Sequence, residues 1–181
     1  MGLFSFLKEL FSAQKYIFSA MAEMDRKNST YANLSSEQLL NLTDDELISA
    51  ALYRTDKKIE RILGKKKKGT PAEWAEHLTG AQRTVYILSY FESDMQTGGL
   101  EYFLEQNEAF ASAVPECLEE IGASENRALY DEFLAHRGYR MSYSERLEYQ
   151  DELRTFNDRY LALAPMEPFF AAYLRNNIEQ F

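Results

Sequence analysis

Helix-capping motifs followed by apolar residues at helical spacing constrain the fold of this 181-residue chain more than any other feature. Thr43-Asp44-Asp45-Glu46 and Thr70-Pro71-Ala72-Glu73 are both capping boxes, in which a threonine hydroxyl and a glutamate carboxylate bond each other's backbone N–H groups. After the first box, apolar residues recur about every 3.6 positions as far as Leu63. No stretch alternates apolar and polar residues as a half-buried strand does. The sequence therefore predicts an all-α fold.

Glycine, proline and hydroxyl residues divide the chain into helices. Residues 81–96 are expected to form a helix. Its segment 84–91 carries no charge and is apolar on most sides, which places this helix at the centre of the core. Gly98 and Gly99 end this helix, since two glycines permit a left-handed cap and a sharp turn. Ser124 caps a helix over 125–135, and Ser144 caps a long helix reaching Tyr160. We expect a single-domain bundle of about eight helices.

The first 34 residues are treated as an N-terminal helix and connector, followed by a core over 35–181. Residues 2–24 carry apolar residues at near-helical spacing, which fits a helix packed on its own domain, with a partner-binding or membrane-surface helix as the alternative. Residues 25–42 are polar, and we expect one short helix near Glu37 to Leu40.

Three features of the sequence bear on location. The apolar stretches are interrupted well before the roughly 20 residues that a membrane-spanning helix needs, and the N-terminus makes a poor signal peptide. The single Cys117 excludes an internal disulfide and a cysteine-based zinc site. These features predict a cytoplasmic protein with no membrane contact.

The charge is distributed unevenly between the two halves of the chain. Residues 1–91 have a net charge of +2, whereas residues 92–181 have 18 acids, seven arginines and no lysine, for a net charge of −11. Lys65 to Lys68 form the one basic run. The acidic half is either an ordinary solvated surface or a binding face for a cationic partner. Direct binding of nucleic acid is not expected, because it requires a cationic face.

Motifs of known chemistry are missing from the sequence. It has no P-loop, no dinucleotide-binding glycine pattern and no nucleophile elbow. The helical di-metal motif requires glutamate three residues before histidine, and Trp74 holds that position before His77. Acidic neighbours are expected to raise the pKa of Cys117 and make it a poor nucleophile. We therefore predict no catalytic residue, no metal and no cofactor.

A series of short motifs in the second half resembles a known family. The motifs are Phe-Glu-Ser-Asp-Met-Gln-Thr-Gly-Gly-Leu-Glu-Tyr-Phe-Leu at 91–104, an Ile-Gly-Ala turn at 121–123, Phe-Asn-Asp-Arg-Tyr at 156–160 and Tyr-Leu-Arg-Asn-Asn at 173–177. Over about residues 40–181 the chain resembles a bacterial all-helical family whose best-understood member is a DNA-mimic protein. The positions that fit, which we expect to be structural, are Gly98, Gly99, Gly122, Asp158, Tyr173 and Asn176.

The resemblance implies an acidic surface that occupies the DNA-binding site of a regulator. Helical residues three or four apart place their side chains about 5–6 Å from each other, a spacing comparable with the rise of phosphates along DNA. Arg140, Arg146 and Arg154 would interrupt such a row. The candidate partner-binding acids are Glu92, Asp94, Glu101, Glu105, Glu108, Glu116, Glu119, Glu120, Glu145, Glu148, Asp151 and Glu152.

Three functions remain open at this point. The first is a non-enzymatic acidic module that binds a basic protein, such as a DNA-binding regulator. The second is an immunity-type or other interaction protein that acts by shape complementarity, without DNA mimicry. The third is an enzyme with an unrecognised carboxylate site, for which Glu145, Glu148 and Glu152 are the nearest candidates, although acids at this spacing are more typical of an exposed helix face. Homo-oligomerisation is compatible with all three.

Overall fold

The computed structural model describes residues 29–66, 68–137 and 142–181, and all regular structure in this part of the chain is helical. The predicted helix over 2–24 lies outside the described residues, as do Gly138 and Arg140. Residues 29–31 are helical, and the α-helices that lie wholly within the described residues are α1 (Ser36–Leu40), α2 (Asp44–Leu63), α3 (Pro71–Ala75), α4 (Ala81–Gln106), α5 (Val114–Glu120), α6 (Ser124–Arg137), α7 (Tyr143–Glu148), α8 (Gln150–Leu161) and α9 (Glu167–Asn176). The all-α class is confirmed; the expected count of about eight is not.

Local sequence signals explain where the early helices begin and end. Thr43 caps α2 and Thr70 caps α3, each within a complete capping box. Pro71 occupies the first turn of α3, where its missing N–H has no helical acceptor to lose. Gly64 follows α2 with a φ of 80°, in the left-handed region that glycine adopts readily. The predicted starts of these two helices and the stop at Gly64 are therefore confirmed.

Helix α4 lies at the centre of the core, as its uncharged segment predicted. Val85 and Phe91 are completely buried. The ring of Phe91 meets those of Phe103, Tyr130 and Tyr160 edge-to-face, with centroids 5.0, 5.4 and 5.6 Å away. Edge-to-face contacts of this kind stabilise a core beyond the burial of area alone. Helix α4 packs against α2, α3, α5, α8 and α9, so most of the other helices are positioned relative to it.

The helical geometry of α4 is interrupted at Gly99, in agreement with the sharp turn predicted at Gly98 and Gly99. Gly99 has φ 74° and ψ −166°, whereas Gly98 has no positive φ, and the helix continues to Gln106 beyond the bend. The side-chain oxygen of Asn157, on α8, accepts a hydrogen bond from the N–H of Leu100 at 2.9 Å. This contact supplies an acceptor for a buried donor that the bend would otherwise leave unpaired.

Two predicted caps are wrong. Ser142, not Ser144, caps the helix that follows, and its capping box includes Glu145. The expected long helix is interrupted at Tyr149, which separates α7 from α8. Ser124 is the first residue of α6 rather than its cap, since the carbonyl of Ala123 accepts the N–H of Arg127.

The two ends of the described chain meet on α2. Helix α9 packs along α2, and the Arg54 side chain donates hydrogen bonds to main-chain oxygens of Tyr31, Leu34 and Phe181. No helix among the described residues has the length and apolar character needed to cross a membrane.

Candidate partner-binding surface

Helix α5 presents three of the predicted carboxylates on its outer face. Glu116, Glu119 and Glu120 are exposed, whereas Cys117 and Leu118 on the opposite face are buried. The spacing of these residues places the acids on one side of a two-turn helix. The sequence pattern and the observed burial thus agree for this group, and we call it, with Asp131 of α6, the α5–α6 acidic surface.

Ion pairing reduces the negative charge of part of this surface. Arg127 of α6 lies 2.6 Å from a carboxylate oxygen of Glu119 and 3.3 Å from one of Asp131. All three side chains are well exposed, and exposed pairs of this kind contribute little to stability. One arginine between two acids leaves a net negative charge.

Glu120 is held in place without being neutralised. Its carboxylate accepts hydrogen bonds from the hydroxyls of Thr84 on α4 and Tyr173 on α9 at 2.5 and 2.8 Å. Burial raises the pKa of Tyr173 to about 12, so this phenol remains a protonated donor at neutral pH. Both donors are neutral, and Glu120 therefore keeps its full charge in a fixed position.

Asp94 is not part of a surface, which corrects its place in the predicted set. It is 7% exposed and accepts a hydrogen bond from Asn107 at 2.7 Å. Burial raises the pKa of its carboxyl group, and the bond from Asn107 lowers it in part. Asp94 has a structural role, joining the middle of α4 to the residue that follows its end.

Glu92 is half-buried and lies between two helices. It accepts hydrogen bonds from the Tyr160 hydroxyl at 2.6 Å and from Gln96 at 3.0 Å. Burial, together with the nearby charge of Glu92, raises the pKa of Tyr160. Glu92 therefore fixes α8 against α4, and it contributes less to any outward-facing row than the sequence suggested.

The remaining predicted acids are distributed over other elements. Glu105 and Glu108 are exposed near the end of α4, and Glu101 is partly exposed. Glu145 is engaged in the α7 capping box, and its hydrogen bonds with Ser142 lower its pKa. Glu148, Asp151 and Glu152 are exposed on α7 and α8, where Asp151 lies 3.6 Å from Arg154.

A groove between α6 and α8 contains acids that sequence reasoning missed. Its deepest part has a volume of about 290 Å³ and an apolar floor that includes Leu129, Phe133 and Phe156. Glu132 and Arg159 face each other across it in a two-pronged ion pair, with both N···O distances 2.7 Å. Glu125, Asp151 and Glu152 also line the groove and its extension. The sequence offered only the i, i+7 spacing of Glu125 and Glu132 on α6 as a signal for this site.

The glycine and aromatic motif residues are placed by packing. Gly122 follows α5 with a φ of 79°, and Tyr173 is bound to Glu120. Asp158 and Asn176 are exposed. Asn157, next to Asp158, is the motif residue whose role the sequence did not reveal, because its hydrogen bond to Leu100 joins positions 57 residues apart.

The described residues offer little for covalent or metal chemistry. No group of three or more histidine, cysteine, aspartate or glutamate side chains in this part of the chain could hold a metal ion. Burial, with a smaller contribution from the charge of Glu120, raises the pKa of Cys117 to about 12, so its thiol stays protonated. A protonated, buried thiol is a poor nucleophile.

Comparison with known families decides the identity of this fold. A model of the DMP19-like protein family matches residues 76–177, which is more than half of the chain. The chain belongs to the DMP19-like protein family. This is the family whose best-understood member is a DNA-mimic protein, as the sequence motifs indicated. Searches of curated proteins and of solved structures found no match.

The DMP19-like region coincides with the acidic part of the chain. Residues 76–177 hold 18 acids and eight arginines, for a net charge of −10. The region begins just before α4 and ends with α9, so it includes the bend at Gly99 and the α5–α6 acidic surface. The match is shorter than the segment of about 40–181 over which we expected the resemblance.

Proposed function

We propose that this protein is a non-enzymatic binding module that covers the basic surface of a DNA-binding protein. The observation that carries the proposal is the coincidence of the DMP19-like region with the surplus of carboxylates, which gives 76–177 a net charge of −10. A surface of this sign attracts a cationic partner and raises its association rate.

The α5–α6 acidic surface is the part of the protein best suited to make the first contact with a cationic partner. Glu116, Glu119 and Glu120 follow one another on a single helix face, and the hydrogen bonds from Thr84 and Tyr173 hold Glu120 in place. A fixed carboxylate costs less side-chain entropy to bind than a mobile one. Arginines and lysines of the partner would then replace Arg127 in its ion pairs with Glu119 or Asp131.

The buried, protonated thiol of Cys117 and the lack of a metal-binding cluster among the described residues support a binding role rather than catalysis. We further propose that residues 35–181 act as one unit, since the buried residues from Leu39 to Ile178 belong to one connected cluster. The cytoplasm, where DNA-binding regulators work, is the proposed location.

A second candidate function is favoured by the groove between α6 and α8. Its apolar floor and acidic rim fit a protein partner that inserts an apolar side chain flanked by basic residues. Binding through this groove would depend on shape as well as on charge. It would therefore resist salt better than binding through the α5–α6 acidic surface.

The experiment begins with capture from the native cell lysate on the immobilised chain, followed by elution with duplex DNA. A protein released by DNA is purified and titrated at about 50 and 200 mM salt, a range over which contacts between charged surfaces weaken strongly. We expect affinity for the wild-type chain to fall about tenfold or more over this range. We also expect the Glu116→Gln/Glu119→Gln/Glu120→Gln variant to bind about tenfold more weakly at low salt.

A matched variant controls for net charge. Glu76, Glu167 and Glu179 are exposed on other elements, and changing all three to Gln removes the same charge. Equal loss of affinity in both triple variants would show that no particular surface is recognised. A ternary complex with DNA would contradict DNA mimicry, and a complex insensitive to salt would favour the groove.

A further inference from the structure

A cavity lined by cationic side chains lies beside α2. Its volume is about 260 Å³, and its walls come from α2, the connector before α1, the start of α4 and the last residue. The cations on its α2 wall are Arg54, Lys57, Lys58 and Arg61. Their spacing of i, i+3, i+4 and i+7 places all four on one face of the helix. Like charges so arranged repel each other and weaken a helix unless something compensates them.

Arg54 is half-buried in this cavity, where main-chain oxygens hold its side chain. Its guanidinium donates to the carbonyls of Tyr31 and Leu34, at 2.8 Å for Tyr31, and to a main-chain oxygen of Phe181 at 3.3 Å. Burial lowers the pKa of Arg54. These three contacts fix the position of the guanidinium at the cavity wall.

Two further cations of the cavity lack an acidic partner among the described residues. Lys58 donates to the side-chain oxygen of Gln82, which is neutral, and Arg61 is exposed and makes no ion pair with any described residue. Lys57 differs, because it pairs with Glu60 at 2.6 Å and lies 5.5 Å from the centre of the Tyr53 ring. Lys58 and Arg61 thus face the cavity with their charge unmatched by the described residues.

We propose that this cavity binds a small phosphate-bearing ligand, either inorganic phosphate or a phosphate monoester. A phosphate group carries close to two negative charges and accepts several hydrogen bonds at once, which suits a guanidinium and ammonium groups converging from one helix face. The cavity volume of about 260 Å³ lies just below the usual range of small-molecule sites, which suits a ligand as small as a phosphate group. The site is separate from the α5–α6 acidic surface and does not depend on the function proposed above.

Isothermal titration of the full chain with sodium phosphate and with glycerol 3-phosphate tests the site, at an ionic strength held constant with sodium chloride. We expect saturable binding to one site. The Lys58→Gln/Arg61→Gln variant should bind about tenfold or more weakly, since two charge-assisted contacts are lost. Arg54 is left unchanged because its carbonyl contacts hold the connector and the chain end.

The control variant is Lys65→Gln/Lys66→Gln, which removes the same charge from the loop after α2, outside the cavity. Its affinity for phosphate should stay within about twofold of that of the wild type. Salt screens exposed charges that lie outside the cavity, so they contribute little to binding. Circular dichroism checks that both variants fold. If the double variant does not fold, the single Arg61→Gln substitution replaces it, since Arg61 is exposed.

The source of the phosphate is distinguished by sedimentation with phosphatidylcholine vesicles, with and without phosphatidylglycerol. Binding of the free phosphates alone assigns a soluble ligand. Binding to the phosphatidylglycerol vesicles that is lost in the Lys58→Gln/Arg61→Gln variant assigns a lipid headgroup to the same site. The proposal is overturned if neither phosphate nor these vesicles bind, or if both double variants weaken binding equally.

Discussion

Gly99 has a combination of φ and ψ that is almost confined to glycine. A Cβ atom at this position would also overlap the side-chain amide of Asn157, which bonds the next N–H of the chain. Backbone conformation and side-chain packing therefore both require glycine. The bend in α4 depends on this residue together with Asn157.

Substitution Gly99→Ala should lower the free energy of unfolding by about 2 kcal/mol or more, because it adds backbone strain and displaces Asn157. Urea denaturation followed by circular dichroism measures the change.

Gly122 provides the control for this substitution. Its φ of 79° is similar, but a Cβ atom there would have no atom within 4 Å. Gly122→Ala should therefore cost only the backbone strain, about 1 kcal/mol. Equal losses in the two variants would show that the contact with Asn157 adds nothing.

At the scale of an element, α7 begins at a capping box that has two serines nearby. Ser142 accepts the N–H of Glu145 at 3.3 Å, and the Glu145 carboxylate accepts the N–H of Ser142 at 2.7 Å. Ser144 lies inside the helix and is exposed. The two serines thus differ in role although they are two positions apart.

Ser142→Ala should destabilise the protein by about 1 kcal/mol at neutral pH, the usual effect of losing a serine cap, whereas Ser144→Ala should have little effect. Thermal unfolding of both variants measures the difference, and a larger loss for Ser144→Ala would contradict the observed cap.

The effect of Ser142→Ala should also depend on pH. The capping box lowers the pKa of Glu145 in the folded state. Its contribution is therefore complete above the ordinary pKa of glutamate and is lost as the pH falls through the lowered value. The difference in the free energy of unfolding between Ser142→Ala and the wild type should become smaller at acidic pH. The corresponding difference for Ser144→Ala should stay constant.

Elements with local signals could be predicted from the sequence. The boxes at Thr43 and Thr70 and the stop at Gly64 involve residues within four positions of each other. The contact of Asn157 with the N–H of Leu100 at the Gly99 break could not be predicted, because Asn157 comes from another helix. The cap at Ser142 was missed because Ser144 has the same chemistry and an acid nearby.

Only part of the candidate site could be predicted from the sequence. Glu116, Glu119 and Glu120 follow from helical spacing alone, and the structure places them on one exposed face. The burial of Asp94 depends on Asn107 and on how α4 packs, so spacing could not reveal it. Glu132 was missed because its position opposite Arg159 arises only when α6 and α8 pack together.

For the whole molecule, the net charge of −9 opposes compaction through repulsion among the acids. Salt screens this repulsion, with a Debye length that falls from about 30 Å at 0.01 M to about 10 Å at 0.1 M. The melting temperature should therefore rise by a few degrees as sodium chloride is raised between these concentrations. Differential scanning calorimetry measures the shift, and a fall would mean that ion pairs such as Glu132–Arg159 outweigh the repulsion.

The hydrogen bond from Arg54 to Phe181 joins residues 127 positions apart. Closing so long a loop costs entropy that nearby contacts do not, and structures dominated by distant contacts fold slowly. This bond can form only once α9 has docked along α2 and carried the following residues with it. Its formation would therefore mark the last stage of folding, after the local helices are complete.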